Sequence, residues 1–131
     1  MADEIAVSVS VSVANGGYRE RFAANGVSVD QAVQAGVGGV VTIGTSVQTL
    51  SILPVTAAGY AAFRNLNTQT SGTHYITIGA YDGTNLEAFA QLNRNMSAVL
   101  PLAPSITLAV QGVTSTQYTS AARMQYLVLA R

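Results

Sequence analysis

The sequence contains no cysteine, no tryptophan and no lysine. Without cysteine, neither a disulfide nor a thiolate metal site can form. Without lysine, a phosphate-binding Walker loop is excluded, and all six basic side chains are arginines: Arg19, Arg21, Arg64, Arg94, Arg123 and Arg131. Charged residues make up 9% of the chain, against about 25% in an ordinary soluble domain. Six acids balance the arginines, so the formal net charge is zero. A neutral chain lacks the basic field that neutralises phosphates, so nucleic acid is not expected as a direct partner. Near-zero net charge also favours association over a freely diffusing monomer. No apolar run approaches the roughly 18 residues that a membrane helix needs. The start "MADEIAVSV" places acids where a secretory signal carries Lys or Arg, so synthesis in the cytoplasm without a signal peptide is expected.

What is present is strand-forming sequence. In "IAVSVSVSVANGG", Ile5, Val7, Val9, Val11 and Val13 alternate with Ala6, Ser8, Ser10 and Ser12. This is a period-two strand with one apolar and one small, uncharged face. It carries no charge or proline to deter pairing with another chain. Further segments rich in Val, Ile, Thr and Tyr are punctuated by Gly, Asn and Pro, and strands are expected near 4–13, 18–22, 38–43, 47–53, 59–65, 73–80, 86–92, 96–100, 105–111 and 123–130. The last, "MQYLVLA", is apolar on both faces and should lie centrally in a sheet. Asp82-Gly83, Asn15-Gly16 and Asn25-Gly26 read as turns. Pro101 and Pro104 bracket a bend that cannot be a central strand. The one helical candidate is "SVDQAVQAG", with Ser28 as its cap and Gly36 as its stop. The expected fold is all-β: a single antiparallel two-sheet sandwich over residues 1–131, with a jelly roll the leading arrangement and another Greek-key sandwich second. Residues 1–13 are a candidate strand for pairing between subunits.

Signs of catalysis are sparse. "GVGGVVTIG" (36–44) lacks the third glycine of a dinucleotide fingerprint, where Val41 stands, and no long helix follows it. Ser71, His74 and Asp82 contain the residue types of a nucleophilic triad, but no nucleophile elbow accompanies them. His74 shares a strand face with Ile76 and Ile78 and reads as a structural or interface histidine. A single histidine cannot furnish a multi-histidine metal site. Asp82 and Glu87 flank a turn, yet nothing indicates the carboxylate separation that glycosidic cleavage requires. Asp82, Asn85 and Glu87 offer oxygen ligands but match no defined calcium loop. The sequon at Asn95 reads as a coincidence without a secretory route. No catalytic residue, metal, cofactor or small-molecule substrate is therefore expected.

The densest charged cluster is "YRERF" (18–22), where Arg19 and Arg21 point one way and Tyr18, Glu20 and Phe22 the other. Arginine and aromatic residues are enriched at interfaces. The expected protein interface comprises Val7, Val9, Val11, Tyr18, Arg19 and Arg21. In "GYAAFRNLN" (59–67), Arg64 falls on a face with Tyr60, Ala62 and Leu66, and a partly buried packing role is expected. A carbohydrate-binding sandwich would draw on Tyr75, Tyr81, Phe89 and Tyr118 as surface aromatics.

Taken together, "MADEIAVSVSVSVANGG", "TIGTSVQTLSI", "GYAAFRNLN", "YITIG" and the closing "YLVLAR" resemble small β-rich structural proteins of tailed bacteriophages. The resemblance implies a non-enzymatic virion component, foremost a jelly-roll capsid decoration or cement protein. It implies dimers or trimers that also contact the major capsid protein; no membrane is expected as a partner, given the short apolar runs. A small tail, neck or head-fibre protein falls within the same resemblance.

Overall fold

The structure, a computed structural model, describes residues 5–29, 31, 35–67, 75–113 and 122–131. Its strands are β1 (Ile5–Asn15), β2 (Tyr18–Val29), β3 (Gly36–Ile43), β4 (Gln48–Thr49), β5 (Ala58–Asn65), β6 (Tyr75–Tyr81), β7 (Leu86–Leu92), β8 (Ser97–Pro101), β9 (Leu108–Val113) and β10 (Ala122–Ala130). Among the described residues there is no helix. The helix expected from Ser28 is replaced at its start by the end of β2 and at its end by β3, while residues 30 and 32–34 lie outside the described residues.

Two compact units divide the chain, residues 1–34 with Arg131 and residues 35–130, although no shift in composition marks the division. The first holds an antiparallel hairpin of β1 and β2. The second is a sandwich of two four-stranded antiparallel sheets, ordered β3-β10-β5-β8 and β4-β9-β6-β7.

The pairings in the sandwich are nested. β6 pairs β7, β5 pairs β8, β4 pairs β9 and β3 pairs β10. The chain thus folds back at the β6–β7 turn as one long hairpin, and rolling that hairpin joins β10 to β5 and β9 to β6. This is the jelly-roll arrangement, with eight strands in two Greek-key sheets.

Alternation decides what lies inside. On the first sheet, Phe63 stands opposite Tyr126 and Ala98, and Ala61 opposite Val128 and Leu100. On the second, Ile78 stands opposite Val110 and Ala90, and Ile76 opposite Leu92. Phe63, Ile76, Ile78, Val110, Met124 and Val128 are fully buried in one apolar cluster between the sheets. β10 lies between β3 and β5, as its two-sided apolar sequence requires. Pro101 closes β8, an edge strand, where its missing N–H removes no ladder bond.

Beyond the helix, three further expectations need correction. Asn25-Gly26 is not a turn: β2 runs on through it to Val29, and the register shifts between Val7 and Val9, so these residues form a β-bulge against β1. β4 shrinks to two residues, because the chain leaves the ladder after Leu50 N–H bonds the Leu108 carbonyl (2.9 Å) and turns where Val55 N–H bonds the Ile52 carbonyl (2.8 Å). Arg64 is exposed on the outer face, opposite Gln125 and Ser97, whereas its neighbours Phe63 and Asn65 are buried.

Candidate functional site: an exposed apolar hairpin

Asn15 and Tyr18 face each other across a two-residue loop, Gly16-Gly17. Gly16 adopts φ +59, a left-handed value required at the first position of a type II′ hairpin and disfavoured for residues bearing a Cβ. The loop fixes the register. Val9 is thereby placed opposite Ala24, Val11 opposite Phe22, Val13 opposite Glu20, Ala14 opposite Arg19 and Ser12 opposite Arg21.

Directly opposed residues of an antiparallel pair share a face. Val7, Val9, Val11, Val13, Tyr18 and Phe22 therefore stand on one side of the hairpin, with Glu20 as the single charge among them. Ser8, Ser10, Ser12, Arg19 and Arg21 stand on the other. The apolar side is open to solvent: Val11 is 59% exposed, Val13 42%, Tyr18 60% and Phe22 63%. Val7 and Val9 are half-buried, and Arg19 and Arg21 are exposed.

The residues singled out in sequence thus fall into two groups, Val7, Val9, Val11 and Tyr18 on the apolar face and Arg19 and Arg21 on the opposite one. Val13 and Phe22 complete the apolar face. Period two in "VSVSV" and "YRERF" places them there, but alternation alone does not tell an exposed phenylalanine from a core one.

A second apolar exposure lies on the outer face of the first sheet. Gly38, Leu127, Ala62 and Val99 form one row across it, and Val40, Gln125, Arg64 and Ser97 the next. Val40, Val99 and Leu127 are about half exposed. The small side chain of Ala62 leaves a shallow depression of ≈ 280 Å³ beside Leu127 and Val99. It offers an apolar contact, with Arg64 as the one Arg, Asp or Glu among its lining residues.

The candidates for catalysis do not converge among the described residues. Ser71, His74 and Tyr118 lie outside them. Asp82 holds a turn: its Oδ1 accepts the N–H groups of Thr84 (2.7 Å) and Asn85 (2.6 Å). These bonds, that from Asn85 foremost, lower the pKa of its carboxyl group. Among the described residues no cluster of His, Cys, Asp or Glu could hold a metal ion. Tyr75 and Tyr81 are half-buried at opposite ends of β6, about 20 Å apart at the usual rise, and Phe89 is 45% exposed on β7. They form no common aromatic platform.

Fold and surface together define a jelly-roll sandwich in a chain that also carries an exposed, one-sidedly apolar β-hairpin. No protein-family model matches the chain, and no curated protein matches it. It is similar to a chain in a structure of Bacillus endospore appendages, described as a novel family of disulfide-linked pili. The identity is 15% and the TM-score 0.42, over 76% of this chain and 88% of that one. A disulfide link has no counterpart here, since the sequence lacks cysteine.

Proposed function

We propose that this protein is a non-enzymatic structural component that works by assembly, and that it serves a tailed-phage virion as a capsid decoration protein. One observation carries the reading: Val11, Val13, Tyr18 and Phe22 stand exposed together on one face of a hairpin. Two strands alone are marginal in water, and a contiguous apolar surface of this kind marks a binding site. The chain has too little charge to keep such a face solvated.

Its partners are further copies of itself and the major capsid protein. Each contact is small, and repetition by symmetry converts many weak contacts into firm attachment. The resemblance of the sequence to small phage structural proteins supports the virion as its location.

The test is to purify heads and tails separately, find the protein by mass spectrometry and locate it by imaging of intact particles. Enrichment on heads supports the reading. Enrichment on tails moves the protein to a tail or neck role, and absence from particles overturns the reading. Sedimentation of the purified protein addresses self-association, which a persistent monomer at high concentration would contradict.

A further inference from the structure

The two outer edges of the hairpin differ. β2 presents Arg19, Glu20 and Arg21 along its length and is broken by the bulge at Asn25-Gly26. Charges and bulges are the devices that keep edge strands from pairing. β1 has neither charge nor proline over its eleven residues, Ile5–Asn15. One edge is guarded and the other is open.

Hydrogen-bonding phase points the same way. The turn over Gly16-Gly17 closes through the Asn15 carbonyl and the Tyr18 N–H, which makes residues 15 and 18 a hydrogen-bonded pair. Bonded and non-bonded pairs then alternate. Val9, Val11 and Val13 bond across to β2, while the backbone groups of Ser10, Ser12 and Ala14 point out of the open edge.

From these observations we infer that β1 pairs antiparallel with β1 of a second copy, about a two-fold axis at Ser10. A two-fold axis perpendicular to the sheet keeps each face on its own side, so only residues of the same parity can oppose one another. In β1 that rule sets valine against valine and serine against serine. Centring on Ser10 uses the full strand, with Ser10 opposite itself, Ser8 opposite Ser12, Val9 opposite Val11 and Val7 opposite Val13. A parallel arrangement would turn one copy over and break the valine face. The β3 edge is likewise uncharged, but self-pairing there would bring Gly36, Gly38 and Gly39 together with few side chains to pack, and β3 already belongs to a four-stranded sheet.

The product is a four-stranded sheet, β2-β1-β1-β2, which crosses the size at which a sheet holds together. Its outer edges are the guarded β2 strands, so growth along this direction stops at two copies. The inference rests on the assembly reading above and specifies the contact that begins it.

The absence of native cysteine makes the test direct. Single variants Ser8→Cys, Ser10→Cys and Ser12→Cys in the full chain are oxidised alone and in mixtures. Ser10→Cys is expected to link to itself. Ser8→Cys and Ser12→Cys should link to each other but not to themselves, because a disulfide tolerates a Cα separation of only about 4.4–6.8 Å. A charge test runs in parallel: Ser8→Lys/Ser12→Lys opposes like charges in this register, and Ser8→Lys/Ser12→Glu opposes unlike ones. The first is expected to raise the dimer dissociation constant at least about tenfold over the second. All three positions are exposed, and melting curves of the two charge variants confirm equal folding. Oligomers that form equally in both, or a Ser8→Cys self-link as strong as that of Ser10→Cys, would overturn β1 pairing and leave the assembly reading standing. A monomer at every concentration would overturn both.

Discussion

Asn65 Nδ2 donates to the Leu92 carbonyl at 3.0 Å, joining β5 of one sheet to β7 of the other. Asn65 is fully buried, and its Oδ1 accepts the Asn67 N–H at 3.0 Å. A buried amide so bonded ties the two layers at one relative position, a task that apolar packing performs with less directional specificity. Asn65→Leu is expected to destabilise the sandwich by about 2–3 kcal/mol, because two backbone groups lose their partners. For a unit of this size the melting temperature should fall by roughly 8–24 °C, read by calorimetry; an unchanged value would refute the role.

Gly79 should tolerate no side chain. The β6–β7 register shifts beside it, so Phe89 is the extra residue of a bulge, and a Cβ at Gly79 would collide with the carbonyl of Glu87 and the Cα of Ala88. Backbone cannot yield as a flexible side chain does. Gly79→Ala is expected to cost at least about 2 kcal/mol, measured by urea denaturation, whereas an Ala substitution at exposed Gly39, where a Cβ meets nothing within 4 Å, should cost far less.

Asp82 gives the β6–β7 turn a pH dependence. Backbone N–H groups favour its carboxylate in the folded state and lower its pKa. The contribution is therefore present above the unfolded pKa, near about 4, and is lost as pH falls through the lower folded value. Asp82→Ala should melt below the wild type at pH 6, and the gap should narrow steadily towards pH 2. A gap independent of pH would exclude the carboxylate as its source.

Association through the hairpin should be apolar in character. Val11→Ser/Phe22→Ser in the full chain is expected to weaken self-association at least about tenfold, given roughly 1.5–3 kcal/mol for a buried large side chain. Raising sodium chloride from about 0.05 to 0.5 M should change it by less than about threefold, since screening acts on charges and the face carries one. Sedimentation velocity reads both, and strong weakening by salt would point instead to Arg19 and Arg21.

Much of the architecture is legible in the residues, and the gaps have physical causes. β7 falls on 86–92, where apolar residues alternate in sequence and a turn holding Asp82 precedes it, although the bulge at Phe89 splits their shared face. The central place of β10 follows from its two apolar faces. β2 outruns its expected end because Asn-Gly serves a bulge as well as a turn, and only the partner strand distinguishes them. The division into two units is not legible, since the hairpin and the sandwich draw on the same Val, Ser and Gly vocabulary. The nested pairing depends on contacts such as Gly36 with Leu129, whose sequence separation no local pattern encodes. Of the hairpin, alternation separates the two faces, but the open state of Phe22 is a property of the fold.

The nested pairing also brings the start and finish of the sandwich together, with Ala130 N–H bonded to the Ala35 carbonyl at 2.8 Å and Gly36 beside Leu129. A tug between those two points meets the β3–β10 ladder at its end and opens it one rung after another, the weakest way to load a sheet. An assembly that bears load would therefore keep tension off these two points and receive it broadside through the flanks of the sandwich, where all rungs share the strain at once.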